Sequence, residues 1–326
     1  MTQKILNILK NNKDFISGEK IAKTLKISRA GVWKNIKKLK DMGYNIISTT
    51  NRGYLLIDDN ELFNKLEIEK EINTVYLGRK IYFFDEITST NDYAKELAND
   101  NLEEGTLVVA NCQTKGKGRL DRSWVSDKND GIFLSLILRP NIELFNIMQI
   151  TLLAGICVCN AIKSLTELDA KIKWPNDIII NNKKVCGILT EVSAQIENVS
   201  YLILGIGINV NNKNFDINLE NKATSIFLET DKFIKRQNLI GHFLKEFEDK
   251  YSIYKKEKDF TIFLEEYKNL CINLQKEAKV TYKGKEITGK VIDISNLGEI
   301  ILKTEENILK IVSGEVSLRN VNGEYI

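Results

Sequence analysis

The sequence is poor in the residues that build metal centres and covalent frameworks. It has a single histidine, His242, so it offers neither an imidazole-based zinc site nor a histidine-dependent catalytic triad. Its five cysteines lie mostly within apolar runs and have no CxxC spacing. The cysteine pattern therefore indicates neither a disulfide framework nor a cysteine-bound metal site. Because free cysteines fit a reducing compartment, we expect a cytoplasmic protein.

Long apolar runs and a secretory leader are also missing. No uninterrupted stretch of about eighteen apolar residues occurs, and this predicts that no segment spans a membrane. The first twelve residues mix polar and apolar side chains instead of forming the apolar core of a signal peptide. The apolar fraction of 43% still permits a sizeable core, and the length of 326 residues suggests two or three domains.

Charge is unevenly distributed along the chain. Residues 1–57 contain twelve Lys and Arg against three Asp and Glu, a net charge of +9. The whole chain is +3, so the remainder is −6. A basic segment on a mildly acidic remainder indicates a separate nucleic-acid-binding module. Solvated helix faces are the alternative that charge alone leaves open.

The basic segment has the pattern of three short helices followed by a β-hairpin. A second helix begins at Ser17, and Ser28 caps a third helix that has one apolar and one basic face. Two strand-like runs then meet near Asn51-Arg52. This order is similar to a winged helix-turn-helix, although a three-helix unit that binds no DNA is also possible. The predicted DNA-binding residues are Ser28, Arg29, Trp33, Lys34, Lys37 and Arg52.

The rest of the chain divides into three segments by pattern. Residues 59–79 are predicted to form a linker with a lead-in helix. Residues 80–272 contain strand-like runs, a hairpin turn at Asn181-Asn182 and blocks of helix, one of them over roughly residues 235–270. This pattern is typical of an α+β domain with a mixed sheet. Residues 273–326 alternate strongly, with turns at 283–285, 296–298 and 313–314, and predict a small SH3-like β-barrel. The predicted fold class is thus α+β multidomain, with the winged helix-turn-helix in residues 1–58.

The strongest local signal is a glycine-rich, basic segment, Gly116-Lys117-Gly118-Arg119-Leu120-Asp121-Arg122-Ser123-Trp124. Glycines allow a backbone to approach a ligand closely, and the cations can neutralise phosphates. The Trp124 ring offers a flat face for adenine. The segment matches neither a Walker A motif nor a dinucleotide-binding fingerprint, and a solvated surface loop is the alternative.

Three weaker motifs accompany this glycine loop. Trp174-Pro175-Asn176-Asp177 uses one of the two prolines and interrupts a strand with polar groups. Gly205-Ile206-Gly207-Ile208-Asn209 carries two glycines in a strand, which indicates close approach of a ligand or of other packing groups. Ser89-Thr90-Asn91-Asp92 fits a ligand site and equally a plain helix cap.

Together and in this order, the motifs resemble the biotin protein ligase family, in particular its members that also repress biotin-synthesis genes. The matching segments are TSTND (88–92), residues 113–124, KWPND (173–177), KKVCGIL (183–189), GIGINVN (205–211) and GEVSLR (314–319). The segment SGEKIAKTLKISRAGVWKNIKKL resembles the DNA-binding domain of the same proteins, so the resemblance spans essentially the whole chain.

The resemblance implies a reaction in two steps. Biotin and ATP, with Mg²⁺, would form biotinyl-5′-AMP, and biotin would then pass to a lysine of a biotin carboxyl carrier protein. Lys184, Arg119 and Asp177 are the implied catalytic residues, with Asp177 orienting or deprotonating the carrier lysine. The implied biotin-binding residues are Ser89, Thr90, Asn91, Gln113, Lys117, Gly118, Arg119, Lys184, Gly187, Gly205 and Gly207. The implied ATP-binding residues are Arg119, Arg122, Trp124, Asn176, Lys184, Asn209 and Arg319.

The resemblance also implies operator DNA as a partner and a homodimer when biotinyl-5′-AMP is bound. One departure concerns the glycine loop, where the family often has GRGRxGR and this chain has GKGRLDR. Lys117 keeps the charge but loses bidentate geometry, so we expect ligand affinity and adenylate retention to differ from those of other family members.

Three other functions remain as alternatives to a bifunctional ligase and repressor. They are a ligand-sensing transcription factor without catalysis, a lipoate-type ligase, and a ligase whose N-terminal domain no longer reads DNA.

Overall fold

The computed structural model describes residues 1–57, 62–195, 198–282, 285–312 and 317–319. Contacts divide the chain into two compact units, Met1–Lys70 and Glu71–Ile326. The domain boundary predicted after residue 58 falls outside the described residues. Nearly all of the lead-in helix, Lys65–Glu71, belongs to the first unit.

The first unit confirms the predicted winged helix-turn-helix. Its elements are α1 (Thr2–Lys10), α2 (Gly18–Leu25), α3 (Arg29–Asp41), β1 (Ile46–Thr49), β2 (Gly53–Leu56) and α4 (Lys65–Glu71). The Ser17 hydroxyl accepts a hydrogen bond from the backbone N–H of Lys20, and Ser28 accepts one from Gly31. These two serines therefore satisfy free N–H groups at the starts of α2 and α3. The apolar faces of the three helices meet in a core that includes Ile5, Leu6, Leu9, Ile21, Val32, Ile36 and Leu39.

Glu67 holds α4 against the rest of the first unit. Its carboxylate accepts a hydrogen bond from the Tyr44 hydroxyl and lies 2.5 Å from Lys70 Nζ and 3.3 Å from Lys10 Nζ. Burial opposes ionisation of Glu67, but the hydrogen bonds from Lys70 and Tyr44 outweigh it and hold its pKa below the usual value. The lead-in helix is thus fixed to the winged helix through a charged, partly buried group.

The second unit is built on a seven-stranded mixed sheet. Its strands are β3 (Ile81–Phe84), β4 (Leu107–Ala110), β5 (Gly131–Leu138), β6 (Lys171–Lys173), β7 (Asp177–Ile180), β8 (Lys183–Gln195) and β9 (Asn198–Asn209). Their spatial order is β3-β4-β5-β9-β8-β7-β6, and β3 with β4 is the parallel pair. Asn181 and Asn182 form the predicted turn between β7 and β8, with φ values of 47° and 64°.

Helices pack on this sheet in two groups. The helices are α5 (Thr90–Asn99), α6 (Ile147–Thr166), α7 (Ile226–Thr230), α8 (Arg236–Glu257) and α9 (Thr261–Leu270). Helix α5 packs on β4, β5 and β9, whereas α6 packs on β8 and against α8 and α9. The helix predicted over residues 235–270 is broken, because Lys258 adopts a left-handed backbone that ends α8.

Helix α6 is the core helix of the unit. Among the described residues, the segment Leu144–Thr166 is long and apolar enough to cross a membrane, with a mean hydropathy of 1.8. Within the protein, 78% of its most apolar stretch is buried, as expected for a helix at the centre of a globular core. Polar residues such as Gln149 interrupt its apolar residues, so the helix contains no uninterrupted apolar run of about eighteen residues.

The C-terminal strands form a five-stranded antiparallel sheet of the size expected for the predicted small β domain. They are β10 (Glu277–Tyr282), β11 (Lys285–Ile294), β12 (Ile300–Lys303), β13 (Ile308–Ile311) and β14 (Ser317–Arg319). The predicted turn at residues 296–298 joins β11 to β12, whereas those at 283–285 and 313–314 include residues outside the described part. The Gly298 carbonyl accepts a hydrogen bond from the Trp174 indole at 2.9 Å, which fixes this turn to the central domain.

We expect Glu67→Gln to destabilise the first unit at neutral pH by about 1–2 kcal/mol, because it removes a charged, hydrogen-bonded acceptor. The folded-state pKa of Glu67 is depressed, so its stabilisation is present above the unfolded-state pKa of about 4.3. That stabilisation is lost as the pH falls through the lower folded-state pKa, and the variant should lack this acid dependence. Hydrogen exchange of the α1 and α3 amides measures both effects.

The matched control is Glu69→Gln on the same helix, whose carboxylate is exposed and lies 3.7 Å from Lys65. An exposed pair of this kind contributes little, so this variant should behave like the wild type. Equal acid dependence of the wild type and Glu67→Gln would contradict the assigned role of Glu67.

Candidate active site and DNA-binding face

A pocket of about 50 Å³ opens where β5, β8 and β9 meet the start of α5. Backbone of the two glycine-containing strands forms part of its lining, with Gly187 paired to Gly207 across β8 and β9. All eleven residues of the predicted biotin set line it: Ser89, Thr90, Asn91, Gln113, Lys117, Gly118, Arg119, Lys184, Gly187, Gly205 and Gly207. Residues from four separate motifs are therefore brought to one cavity.

Two positions of β9 must be glycine because side chains of the pocket lie directly against the strand. A Cβ at Gly205 would stand 2.2 Å from Asn91 Oδ1, and a Cβ at Gly207 would stand 2.5 Å from the Trp124 ring. Such contacts are far too short, so only glycine lets these two side chains lie flat against the strand. The double-glycine motif thus reflects close approach by residues of the pocket itself.

Polar side chains at the α5 end of the pocket are joined by hydrogen bonds. Gln113 Oε1 accepts from the backbone N–H and the hydroxyl of Thr90, at 2.8 and 3.0 Å. The buried Ser135 hydroxyl lies 2.8 Å from Thr90 Oγ1 and 2.5 Å from Asn91 Oδ1. Ser89 caps α5 by accepting from the Asp92 N–H, so this motif is both a helix cap and a pocket wall.

Glu191 on β8 extends this network from outside the predicted set. Its Oε2 accepts from Asn91 Nδ2 at 2.6 Å, and its Oε1 pairs with Lys95 Nζ at 2.5 Å. Because the carboxylate can only accept, the Asn91 amide must direct its NH₂ to Glu191 and its oxygen to Ser135. Glu191 therefore sets which polar atom Asn91 presents to the pocket.

Two cations and one carboxylate lie on the side of the pocket nearer β7. Lys184 Nζ is 2.6 Å from Asp177 Oδ1 and 5.1 Å from the centroid of the Trp124 ring. Arg119 donates to Asn176 Oδ1 at 2.8 Å, and burial lowers the pKa of Arg119. Two positive charges around a single carboxylate leave a local excess of positive charge, which suits an anionic ligand.

The glycine loop folds as a short hairpin beside this charged group. Gly118 N–H donates to the Arg122 carbonyl at 2.7 Å, and Trp124 N–H donates to that of Gly116 at 2.9 Å. Leu120 and Asp121 at its tip both have positive φ, 54° and 56°, as a type I′ turn requires. Aspartate tolerates this backbone better than most residues, so Asp121 can stand where the family often has glycine.

A second cavity of about 610 Å³ continues beyond Trp124 and Lys184. Of the predicted ATP set, Arg122, Trp124, Lys184 and Asn209 line it, whereas Arg119 and Asn176 line the first pocket. Arg319 lies on β14, but its side chain is outside the described residues, as are Gly314 and Glu315. Among the described residues, the buried Trp124 Nε1 has no hydrogen-bond acceptor, and Asn209 donates to the Thr224 carbonyl at 3.0 Å.

The described residues hold no cluster of three or more His, Cys, Asp or Glu side chains that could bind a metal ion. Asp177, which pairs with Lys184, and Asn176, which lines the first pocket, supply oxygen donors at this site. Such a donor set suits Mg²⁺, which keeps several water ligands and binds mainly through substrate phosphates.

Five of the six predicted DNA-binding residues lie on α3 or at its N-cap. Arg29, Trp33, Lys34 and Lys37 are exposed on α3, and Ser28 is its N-cap. Lys37 Nζ lies 5.8 Å from the centroid of the Trp33 ring. At the tip of the β1–β2 wing, the Arg52 guanidinium lies 4.3 Å from the centroid of the Phe15 ring.

Sequence reasoning missed residues of two kinds: Ser135 and Glu191, which hydrogen-bond to side chains that line the first pocket, and residues such as Phe215 and Leu219 that line the second cavity. Ser135 was detectable, because it is the single polar residue in the buried strand GIFLSLIL. Glu191 was not, since its role depends on which residue of α5 faces β8. Phe215 and Leu219, which add apolar surface to the second cavity, lie in an asparagine-rich stretch without helical or strand periodicity.

Comparison with known proteins places this architecture in a family. The model for the biotin/lipoate A/B protein ligase family matches residues 83–209, which contain the pocket-lining strands β5, β8 and β9. A helix-turn-helix model matches residues 2–55, and the model for the C-terminal domain of biotin protein ligases matches residues 275–319.

Full-length relatives narrow the assignment. The chain is 39% identical to the bifunctional ligase/repressor BirA of Bacillus spizizenii over 94% of both chains. It is 26% identical to BirA of Escherichia coli over 97% of both chains. The biotin protein ligase of Aquifex aeolicus in complex with biotin and ATP is 34% identical, with a TM-score of 0.66 over 74% of this chain and 99% of that one. The chain therefore belongs to the family of bifunctional biotin ligase/repressors, which confirms the resemblance.

Proposed function

We propose that this chain is an ATP-dependent biotin protein ligase that is also a biotin-responsive repressor of biotin-synthesis genes. The observation that carries the proposal is the meeting of eleven predicted residues in one pocket, with Lys184 lining both that pocket and the adjoining cavity. A carboxylic acid in the first cavity and a nucleotide in the second would therefore meet at Lys184.

Biotin has an apolar bicyclic ring with a polar ureido group, and the pocket matches both parts. Leu134, Ile188 and Ile206 supply apolar surface, and the hydrogen-bonded side chains near α5 supply a few oriented polar atoms. Thr90, Asn91 and Gln113 are the proposed ureido contacts. The carboxylate end of biotin would then extend toward Lys184.

In the first step, a biotin carboxylate oxygen attacks the α-phosphorus of ATP. A new P–O bond forms, the bond to the β-phosphate oxygen breaks, and pyrophosphate leaves with the negative charge. Lys184 would lie between carboxylate and α-phosphate, and Arg119, Arg122 and Lys117 would neutralise phosphate oxygens. Trp124 would pack the adenine. When bound with ATP, Mg²⁺ would supply further charge neutralisation, and Asn176 and Asp177 are the residues that would hold it.

In the second step, a carrier-protein lysine attacks the acyl carbon of biotinyl-5′-AMP. The amide bond forms, the acyl–phosphate bond breaks, and AMP leaves. The attacking amine must be neutral, so a proton has to be accepted nearby. Asp177 is the proposed acceptor, because it is the carboxylate paired with Lys184 beside the reacting carboxyl group.

We expect Lys184→Ala to lower biotin-dependent ATP–pyrophosphate exchange by about 100-fold or more, the size of effect seen when a transition-state charge donor is removed. The matched control is Lys183→Ala, because Lys183 precedes Lys184 but donates to the Glu220 carbonyl at 3.1 Å. That control should stay within about twofold of the wild type. Lipoate should support no exchange.

The outcome of this assay separates the alternatives. Exchange with lipoate would favour a lipoate-type ligase. No exchange with either acid would favour a ligand-sensing transcription factor and reduce Lys184 to a binding residue. Exchange that survives Lys184→Ala would contradict the assigned role of this lysine.

Glu191 is a proposed positioning residue for biotin, acting through Asn91. A glutamine in its place offers one acceptor oxygen instead of two, so Asn91 or Lys95 loses its partner. We expect Glu191→Gln to raise the KM for biotin about tenfold, corresponding to a lost buried hydrogen bond of roughly 1.4 kcal/mol. The kcat should change less, since the reacting atoms lie at the other end of the pocket.

Steady-state kinetics with varied biotin measure this split between KM and kcat. Glu96→Gln, on the exposed side of α5, makes the same change of charge and serves as control. A loss confined to kcat would argue that Glu191 acts on the chemical step instead.

Repression is proposed to follow from ligand occupancy. Biotinyl-5′-AMP would order the glycine loop, a homodimer would form through the large domain, and two winged helices would read a two-fold operator. The basic face of α3 and the wing supports the DNA contact, and we infer that the protein acts in the cytoplasm without a membrane partner. Sedimentation should give tighter dimerisation with biotinyl-5′-AMP, and equal dimer affinity with and without it would contradict this regulation.

A further inference from the structure

Trp33 is a large, mostly apolar side chain that is exposed to water, which is unusual in a folded protein. It is 59% exposed on α3, whereas Val32, Ile36 and Leu39 on the other side of this helix are buried in the core. An indole this exposed contributes little to the packing of the unit. Its exposed surface is therefore available to a partner that offers an apolar contact.

The surroundings of Trp33 are cationic. Arg29 and Lys37 lie four residues before and after it, which places them on the same helix face, and Lys34 is its exposed neighbour. Lys37 Nζ lies 5.8 Å from the ring centroid, so one cation sits beside the indole. The exposed Ala30, three residues before Trp33, adds no bulk that would hold a partner away from the helix. The face thus consists of one apolar group within a cluster of positive charge.

Duplex DNA offers the complement of such a face. Phosphates on both sides of the major groove would receive the cations. Within that groove the thymine C5-methyl is the apolar group that a base pair displays. Trp33 is the fifth residue of α3, in the half of a recognition helix that approaches base edges.

We propose that Trp33 reads thymine methyl groups in the major groove of the operator and is a specificity-determining residue of this repressor. The inference rests on the proposed DNA-binding function and adds the base chemistry that its recognition helix selects. Arg29, Lys34 and Lys37 supply affinity for phosphates, whereas Trp33 supplies discrimination between a base pair with a methyl group and one without.

The test begins with the full-length chain, biotin and ATP, and a pool of randomised DNA duplexes from which bound sequences are selected. The selected duplex is then remade with each thymine replaced singly by deoxyuridine, which keeps base pairing and removes only the methyl group. We expect one or two thymines in each half-site to weaken binding about fourfold when replaced, the loss expected for one buried methyl group.

Variants assign that loss to Trp33. Trp33→Ala should bind the thymine and deoxyuridine duplexes equally, whereas Lys34→Gln should bind all duplexes more weakly, with a smaller salt dependence, and keep the methyl preference. Hydrogen exchange of the α1 and α3 amides in Trp33→Ala should equal that of the wild type, which verifies that the first unit of the variant is folded.

The outcomes separate the inference from the function on which it rests. If the wild type selects no sequence, the proposed repressor function fails and the inference fails with it. If the wild type selects a sequence but tolerates deoxyuridine at every thymine, DNA binding stands and the reading of methyl groups is wrong. A methyl preference that persists in Trp33→Ala would also overturn the inference.

Discussion

The candidate active site depends on bare backbone at the centre of the sheet. Gly187, Gly205 and Gly207 lie on neighbouring strands, and the side chains of Trp124, Asn91 and Lys184 lie directly on them. A single methyl group at Gly207 would displace the indole, which in turn lies beside the Lys184 ammonium. The positions of the proposed ureido contact, adenine platform and bridging cation are thus set by one structural constraint.

This constraint also explains how one sheet can bring two ligands together. Lys184 lines both cavities because Gly187, three residues further along β8, has no side chain to fill the space between the two cavities. Asp177 neutralises one cation in the absence of ligand, and Arg119 contributes a second that is held partly out of water. An arriving carboxylate and phosphate would then meet charge that is already oriented, so little reorganisation is needed at the reacting atoms.

Local features of the fold could be predicted from the sequence, whereas relations between distant segments could not. Ser28 as a helix cap, Asn181-Asn182 as a turn and the core strands all follow from residue chemistry and periodicity. The break at Lys258 did not, because a lysine in the left-handed region carries no sequence signature. Only the family resemblance predicted that Ser89 and Gly205 belong to the same site, because no local sequence pattern predicts that α5 packs on β9. Glu191 was not predicted as a site residue for the same reason.

The glycine loop shows how a departure from a family motif can alter the energetics of a site while keeping its geometry. Its tip places Leu120 and Asp121 in the left-handed region, where a residue such as leucine costs roughly 1–2 kcal/mol. Leu120 is 52% exposed, so little packing offsets that cost. The closed hairpin is instead tied to α5 by the ion pair between Lys117 and Asp92, at 2.5 Å and partly exposed, and pairs of this kind contribute little. The Arg119 guanidinium adds a hydrogen bond to Asn176 at 2.8 Å. Contacts from the loop to a bound adenylate would add to these ties, and they would couple retention of the adenylate to the same segment that is proposed to signal its presence.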